Sequence, residues 1–214
     1  MTQRIVVIDY GMGNLHSVVK ALEYVGGEAV TVELSDRAEH ILSADRVVFP
    51  GQGAARDCMQ AMRAHGLIDV IKESARNKPF LGICMGLQAL MDWSEENDGT
   101  ECLGLYPGKV ARFRNSPGAE RLKIPHMGWN SIRQTRPHPL FDGIAEGAYF
   151  YFVHSYYVVP AAPALTVGVT DYGVEFTSAI AHENVFALQC HPEKSAQAGL
   201  RLLQNFVNWD GSIR

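Results

Sequence analysis

The strongest constraint on the fold is the alternation of short apolar segments with amphipathic ones in the first 90 residues. The segments 4–9, 28–32, 46–49 and 78–84 have the length and apolar content of buried β-strands. A helix is predicted after Asn14, which can cap it, with Gly26 and Gly27 at its end, and another helix is predicted over 67–77. Short apolar strands that alternate with helices form parallel sheets covered on both faces, so the first half predicts a three-layer α/β fold.

The second half of the chain has mostly strand signals. The segments 109–113, 129–133, 148–153, 156–159, 165–169, 177–181 and 185–189 are separated by Pro, Gly and Asn. This pattern predicts antiparallel strands added to the parallel sheet. Ser195 is expected to cap a last helix that extends to about Trp209. No repeat or linker interrupts the sequence, which predicts one domain over 1–214.

Composition excludes several classes of function. The net charge is −4, which argues against nucleic-acid binding through phosphates. The four cysteines form no Cys-x-x-Cys pair and no zinc-ligand spacing, so no metal and no cofactor are expected. Residues 148–170 contain no Asp, Glu, Lys or Arg, but Pro160 and Pro163 favour strands over a membrane helix. Without a signal peptide at the start, a cytoplasmic protein with free thiols is expected. Cys58, Cys102 and Cys190 are interpreted as small buried apolar side chains.

The sequence Gly82-Ile83-Cys84-Met85-Gly86 follows a predicted strand and precedes a predicted helix over 87–93. This is the cysteine form of a nucleophile elbow, in which a sharp turn raises the reactive atom above the sheet. A thiol at a helix N-terminus is favoured as the thiolate, and the N–H of Met85 can stabilise an oxyanion. The alternative is a structural cysteine in a tight turn.

A nucleophilic thiol needs a histidine base, and the base needs an acceptor that orients its ring. His191 ends the last predicted strand, in the run Cys190-His191-Pro192-Glu193. Residues i and i+2 of an extended chain point the same way, so Glu193 can accept the ring N–H of His191. The alternative is a surface turn that happens to contain a histidine.

The third predicted strand ends in Pro50-Gly51-Gln52-Gly53. Glycines let backbone N–H groups approach a bound group, which suits an oxyanion hole. The alternative is a nucleotide-phosphate loop, here or at Gly11-Met12-Gly13, but both lack the third glycine of the dinucleotide pattern and no Lys-Ser/Thr pair follows 51–53.

Together these motifs resemble the class I, triad-type glutamine amidotransferases along almost the whole chain, with 50–53, 82–88 and 191–193 in family order. Within that family the chain is most similar to the glutaminase subunits of imidazole glycerol phosphate synthase, which act in histidine biosynthesis. Four segments carry this closer similarity: 10–14 (Tyr-Gly-Met-Gly-Asn), 125–130 (Pro-His-Met-Gly-Trp-Asn), 152–157 (Phe-Val-His-Ser-Tyr-Tyr) and 194–195 (Lys-Ser). Family members often have Val where Gln52 stands here.

The resemblance implies a mechanism and a set of roles. Cys84 would attack the glutamine amide, His191 would shuttle the proton, and Glu193 would orient His191. His154 would be a neighbour of the site, not its base. Backbone N–H groups near Gly51, Gly53 and Met85 would hold the oxyanion, and glutamine would be held by residues that include Gln88, Ser155 and Tyr156.

The resemblance also implies a partner. A cyclase subunit with a (β/α)8-barrel fold would form a heterodimer with this chain, receive ammonia through a dry passage and activate the glutaminase when its own ligand binds. Asn14, Met127, Trp129 and Lys194 match family positions at that interface. Three alternatives stay open: a glutaminase subunit of another pathway, a stand-alone cysteine hydrolase, and a non-catalytic subunit that keeps the fold.

Overall fold

The computed structural model describes residues 2–115 and 121–213. Its strands are β1 (Gln3–Ile8), β2 (Val30–Ser35), β3 (Arg46–Gly51), β4 (Phe80–Cys84), β5 (Trp93–Ser94), β6 (Thr100–Glu101), β7 (Gly108–Arg112), β8 (His126–Ser131), β9 (Arg133–Gln134), β10 (Tyr149–His154), β11 (Tyr156–Pro160), β12 (Thr166–Asp171), β13 (Glu175–His182) and β14 (Val185–Leu188). Its α-helices are α1 (Leu15–Gly26), α2 (Ala38–Leu42), α3 (Ala55–Ala64), α4 (Ile68–Asn77), α5 (Met85–Gln88) and α6 (Ala196–Asn208).

A mixed sheet runs through the centre of the described part of the chain. Strands β2, β1, β3, β4 and β14 lie side by side in that order and are parallel. The sheet continues antiparallel through β13, β11 and β7. Strand β5 then pairs with β7 in parallel and β6 pairs with β5 antiparallel, while β12 pairs antiparallel with β13 and β9. Strands β8 and β10 form a separate antiparallel ribbon. The expected α/β class, with a parallel core and antiparallel additions, is therefore confirmed.

Each face of the parallel core is covered by helices. Alternate residues of β1 point to opposite faces, so Ile5 and Val7 pack in one apolar cluster with α1 and α6. Val6 and Ile8 pack in a second cluster with α3 and α4. The α1 and α6 helices also contact each other. The result is the three-layer arrangement that the sequence predicts.

Two local predictions were wrong. The strand expected over 28–32 starts later, because Gly27–Ala29 form a 3-10 turn and β2 begins at Val30. The helix expected over 87–93 is the single turn of α5, Met85–Gln88. It stops because the carbonyls of Ala89 and Met91 accept hydrogen bonds from the N–H groups of Leu103 and Gly104, at 2.8 Å each. A distant loop thus takes the backbone groups that a longer helix would use.

Two predicted caps stand at the right positions without making cap hydrogen bonds. Asn14 precedes α1 but its side chain does not bond to the helix. Ser195 precedes α6, and its hydroxyl instead donates to the carbonyl of His191 at 2.6 Å and accepts the N–H of Tyr151 at 2.9 Å. The serine therefore ties the segment after β14 to β10.

The uncharged region 148–170 forms strands β10 and β11 and most of β12, as the prolines suggested. In the ranges that the structure describes, no helix combines the length and the apolar character needed to cross a membrane.

Candidate active site

Cys84 sits at a strained turn between β4 and α5. Its backbone has φ 55° and ψ −107°, a positive φ that is uncommon for a residue with a side chain. Two residues later, a Cβ on Gly86 would overlap the carbonyl oxygen of Phe49 in β3. The glycine therefore lets the turn pack directly on the neighbouring strand, which is the geometry of a nucleophile elbow.

His191 and Glu193 lie beside that elbow because β14 is the parallel neighbour of β4, with Leu188 opposite Ile83. The two side chains are 2% and 1% exposed, and His191 Nδ1 lies 2.8 Å from Glu193 Oε1. A carboxylate accepts, so Nδ1 carries a proton that it donates to Glu193. Nε2 of His191 has no hydrogen-bond partner among the described residues, which leaves it available to a substrate or to the thiol.

The charges around His191 control its protonation. Burial alone lowers the pKa of His191, but negative charge on Cys84 and on Glu193 outweighs burial and raises the pKa to about 10. The ring is thus held as an imidazolium when the sulfur is ionised. A cysteine beside a histidine whose basicity is raised in this way is the arrangement of a nucleophile and its base in thiol hydrolases.

Cys84 and His191 open into one cavity of about 480 Å³, a size that suits a small-molecule substrate. Most of the residues predicted to bind substrate or oxyanion line it, together with one predicted interface residue: Gly53, Met85, Gln88, Ser155, Tyr156 and Lys194. Gln52, Glu96, Pro125, Tyr151, Val153 and His154 complete the wall.

Gly51, Asn14 and Glu193 have a different position. They line a much smaller adjoining cavity, together with Gln52 and His191. Gly51 pairs with Cys84 across β3 and β4, and a Cβ on it would overlap the hydroxyl of Tyr10. The carboxyl end of β3 thus passes between the two cavities, and Gln52 lines both of them.

The end of β3 and the segment after it are held by two side chains for which the sequence predicts no role at the site. The hydroxyl of Tyr10 donates to the carbonyl of Pro50 at 3.0 Å, and Cys58 Sγ donates to the carbonyl of Gln52 at 3.3 Å. Burial raises the pKa of Cys58 to about 12, so the thiol keeps the proton that it donates. The peptide between Gly51 and Gln52 lies between these two held carbonyls.

A second set of missed contacts reaches the other wall of the cavity. His154 Nδ1 lies 2.8 Å from the carbonyl of Tyr156, and its Nε2 lies 2.9 Å from Nδ1 of His126. His126 Nε2 in turn lies 3.2 Å from Nδ2 of Asn130. Burial lowers the pKa of His126 to about 4 and that of His154 to about 3, so both rings are neutral near pH 7. A neutral, fully engaged His154 fits the predicted role of a neighbour and not a base.

Gln189 was also missed, because nothing in the sequence marks it as different from any strand residue. It is fully buried, and its Nε2 lies 3.6 Å from Cys84 Sγ. Its Oε1 lies 3.0 Å from Nε2 of Gln88.

The predicted interface residues differ in how near they lie to the cavity. Met127 and Trp129 lie on β8 and are 58% and 52% exposed, and the ring of Trp129 contacts that of Tyr151 in the cavity wall. Lys194 lines the cavity itself. In 2–115 and 121–213, no three His, Cys, Asp or Glu side chains are grouped to hold a metal ion.

Comparisons with known proteins show which family the chain is similar to. The family model for glutamine amidotransferase class-I matches residues 6–209. The chain is 52% identical over 212 residues to the imidazole glycerol phosphate synthase subunit HisH of Chromobacterium violaceum, covering 98% of this chain and 100% of that protein. It is 54% identical over 213 residues to subunit HisH 1 of Pseudomonas aeruginosa, covering 99% of each.

Solved structures of more distant sequence share the fold. PurLQS from Thermotoga maritima matches with a TM-score of 0.70 at 21% identity, over 97% of this chain and 99% of that one. A further glutamine amidotransferase matches with a TM-score of 0.70 at 16% identity, over 95% and 99%. Because the family model covers nearly the whole chain and relatives exceed half identity, this chain belongs to the class-I glutamine amidotransferases and, within them, to the HisH subunits of imidazole glycerol phosphate synthase.

Proposed function

We propose that this chain is one glutaminase domain, over 1–214, that hydrolyses glutamine to glutamate and ammonia with the triad Cys84, His191 and Glu193. The observation that carries the proposal is the cavity into which both the elbow cysteine and His191 open, with His191 Nδ1 held by Glu193 at 2.8 Å. The nucleophile, the base and the group that orients the base thus occupy one site.

The first half of the reaction forms a thioester. Cys84 Sγ attacks the side-chain amide carbon of glutamine while its proton passes to His191 Nε2, and the carbonyl electron pair moves to oxygen. The backbone N–H of Met85 and those of the segment 51–53 stabilise this oxyanion. The oxyanion then collapses, the carbon–nitrogen bond breaks, and His191 returns the proton to the leaving nitrogen as ammonia.

The second half releases glutamate. A water molecule attacks the thioester carbon and gives a proton to His191 Nε2. The carbon–sulfur bond breaks, glutamate leaves, and the sulfur recovers its proton. Glu193 keeps the ring of His191 in one orientation through both halves, because its carboxylate accepts the Nδ1 proton throughout.

The ammonia is consumed by a partner subunit. We infer a cytoplasmic heterodimer with a (β/α)8-barrel cyclase that makes imidazole glycerol phosphate and the aminoimidazole carboxamide ribotide. Free ammonia is protonated in water and loses its nucleophilicity, so the partner must cover the cavity mouth. Met127 and Trp129 present exposed apolar surface for this contact, and Lys194 adds a cation at the mouth. Asn14 precedes α1 and lines the same small cavity as Glu193.

The test is glutamate release from glutamine by the chain alone and by the chain with a purified (β/α)8-barrel cyclase and its nucleotide ligand. We expect little release alone and strong activation in the complex. Cys84→Ala should abolish release in the complex, whereas the matched control Cys102→Ala, at a half-buried cysteine that lines neither cavity, should not.

Two results would contradict the proposal in different ways. Glutamate release that persists in Cys84→Ala would show that the triad does not catalyse the reaction. Fast glutamate release by the chain alone, with no response to the cyclase, would be consistent with the triad but would contradict the proposed partner. That result is expected for a stand-alone cysteine hydrolase.

A further inference from the structure

Gln189 directly follows β14, and its side chain points at the sulfur of Cys84. Its Nε2 lies 3.6 Å from Cys84 Sγ, a normal separation for an N–H···S hydrogen bond because sulfur is large. We propose that Gln189 is a further catalytic residue of the glutaminase, an N–H donor that stabilises the Cys84 thiolate. The inference rests on the proposed function, because it gives the nucleophile of that reaction one more partner.

The orientation of the Gln189 amide follows from its neighbours. Gln88 Nε2 lies 3.0 Å from the carbonyl of Tyr156, and a carbonyl can only accept, so this end of the Gln88 amide is the nitrogen. The same nitrogen lies 3.0 Å from the end of the Gln189 amide, which must therefore be the oxygen. The other end of Gln189 is then its NH2 group, and it faces the sulfur as a donor.

The Tyr156 carbonyl is itself fixed from the opposite side. It accepts from His154 Nδ1 at 2.8 Å as well as from Gln88. The Tyr156 carbonyl thus fixes the orientation of the Gln88 amide, which in turn fixes that of the Gln189 amide. If the Gln189 amide were flipped, its NH2 group would face the NH2 group of Gln88, and no hydrogen bond could form between them. Gln189 is fully buried, so water does not compete for either end of its amide.

The chemical consequence is a preference for the charged sulfur. A hydrogen bond to an ionised acceptor is stronger than one to a neutral acceptor, so a fixed donor favours the thiolate over the thiol. The contact also leaves the attack direction open, because Gln189 does not line the cavity from which glutamine approaches. Both protons of the Gln88 NH2 group are used by Tyr156 and Gln189, which leaves the Gln88 Oε1 as the part of that amide that can accept from a substrate.

The test uses the thiol chemistry of Cys84, which needs neither glutamine nor ammonia transfer. The full chain, in complex with the cyclase, is alkylated with iodoacetamide from pH 5 to 10, and modification at Cys84 is followed by tandem mass spectrometry. Gln189→Met keeps the length of the side chain without a donor. Gln189→Glu keeps an oxygen toward Gln88 and replaces the donor with a second oxygen. Exposed Gln60 on α3 gives the matched controls Gln60→Met and Gln60→Glu.

We expect the pH midpoint of Cys84 alkylation to rise by about one unit in Gln189→Met and further in Gln189→Glu, and kcat to fall about tenfold or more with little change in KM. Gln88→Met, which removes the group that directs Gln189, should raise the midpoint as well. This third variant keeps the test decisive if a change at the buried Gln189 prevents folding, which far-UV circular dichroism would reveal.

The outcomes separate this inference from the proposed function. Unchanged midpoints in all folded variants at positions 189 and 88, with glutamate release by the wild-type complex, would overturn the donor role alone. Raised midpoints in the variants, together with a wild-type complex that releases no glutamate, would support the donor role of Gln189 and contradict the glutaminase function.

Discussion

Nδ1 of His126 lies 2.9 Å from Nε2 of His154, and the direction of this hydrogen bond is fixed by the backbone. His154 donates its Nδ1 proton to the carbonyl of Tyr156, so its Nε2 is an acceptor and His126 Nδ1 is the donor. Asn130 then donates to His126 Nε2, since its Nδ2 also donates to the carbonyl of Asp171. These hydrogen bonds form a series of neutral groups that joins the β8–β10 ribbon to the Tyr156 carbonyl in the wall of the cavity.

The first prediction concerns the hydrogen bonds of His126 in this series. His126→Phe keeps an aromatic ring stacked between Phe152 and Tyr172 but removes both hydrogen bonds. We expect a loss of about 1–3 kcal/mol in the free energy of unfolding, because His154 Nε2 is left buried without a donor. We also expect KM for glutamine to rise several-fold, because the Tyr156 carbonyl loses part of its support.

Urea unfolding and glutamine saturation curves of the cyclase complex would measure both effects. His16→Phe, at an exposed position of α1, is the matched control. Equal KM and equal stability in His126→Phe and the wild type would show that the two histidines only fill space.

The second prediction is a loss of stability in acid. Burial lowers the pKa of His126 and of His138 to about 4 and that of His154 to about 3, below the ordinary value near 6.5 that holds in the unfolded chain. Between these values the unfolded state binds protons that the folded state does not. The free energy of unfolding therefore falls as pH drops from 6.5 toward 4, by at most about 1.4 kcal/mol per pH unit for each histidine.

Carboxylates also titrate in this range, so a variant must isolate the histidine contribution. His138→Gln removes one such group, which does not line the catalytic cavity, and should make the fall in stability between pH 6.5 and 4.5 shallower. Urea unfolding at one-unit pH steps measures the slope. A variant with the same slope as the wild type would mean that His138 is protonated in the folded state.

The sequence predicts those features whose geometry is set by residues close together along the chain. The elbow around Cys84 and the His191-Pro192-Glu193 run each encode their geometry within a few residues, so the motif and the neighbouring strand identify them. The short α5 could not be foreseen, because its end depends on hydrogen bonds from residues 103 and 104. Gln189 could not be foreseen either, because its orientation depends on Gln88, 101 positions away.

The third prediction concerns the segment after β3. Tyr10→Phe removes the hydrogen bond to the Pro50 carbonyl and keeps the ring against Phe49. We expect kcat for glutamate release to fall about three- to tenfold with little change in KM, because the peptide between Gly51 and Gln52 becomes less well oriented for the oxyanion. The cost in stability should be about 1–2 kcal/mol, since a buried carbonyl loses its donor.

Cys58 supports the same segment through the carbonyl of Gln52, so the two sites should be coupled. A double-mutant cycle of Tyr10→Phe with Cys58→Ala measures this in kcat, and non-additive effects are expected. Tyr24→Phe is the matched control, because Tyr24 is 76% exposed. Additive effects on kcat, or no effect of Tyr10→Phe, would mean that the segment orients itself without these side chains.

The last prediction concerns the elbow itself. A Cβ on Gly86 would overlap the Phe49 carbonyl oxygen, and β3 cannot move away because it is hydrogen-bonded to both β1 and β4. We expect Gly86→Ala to destabilise the fold by about 3 kcal/mol or more and to abolish glutamate release. Gly147→Ala is the control, because nothing lies near its added Cβ and its positive φ of 71° costs only about 1–2 kcal/mol. Thermal unfolding and Cys84 alkylation compare the two variants. If Gly86→Ala is no less stable than Gly147→Ala and its Cys84 stays reactive, the elbow does not need the close packing on β3.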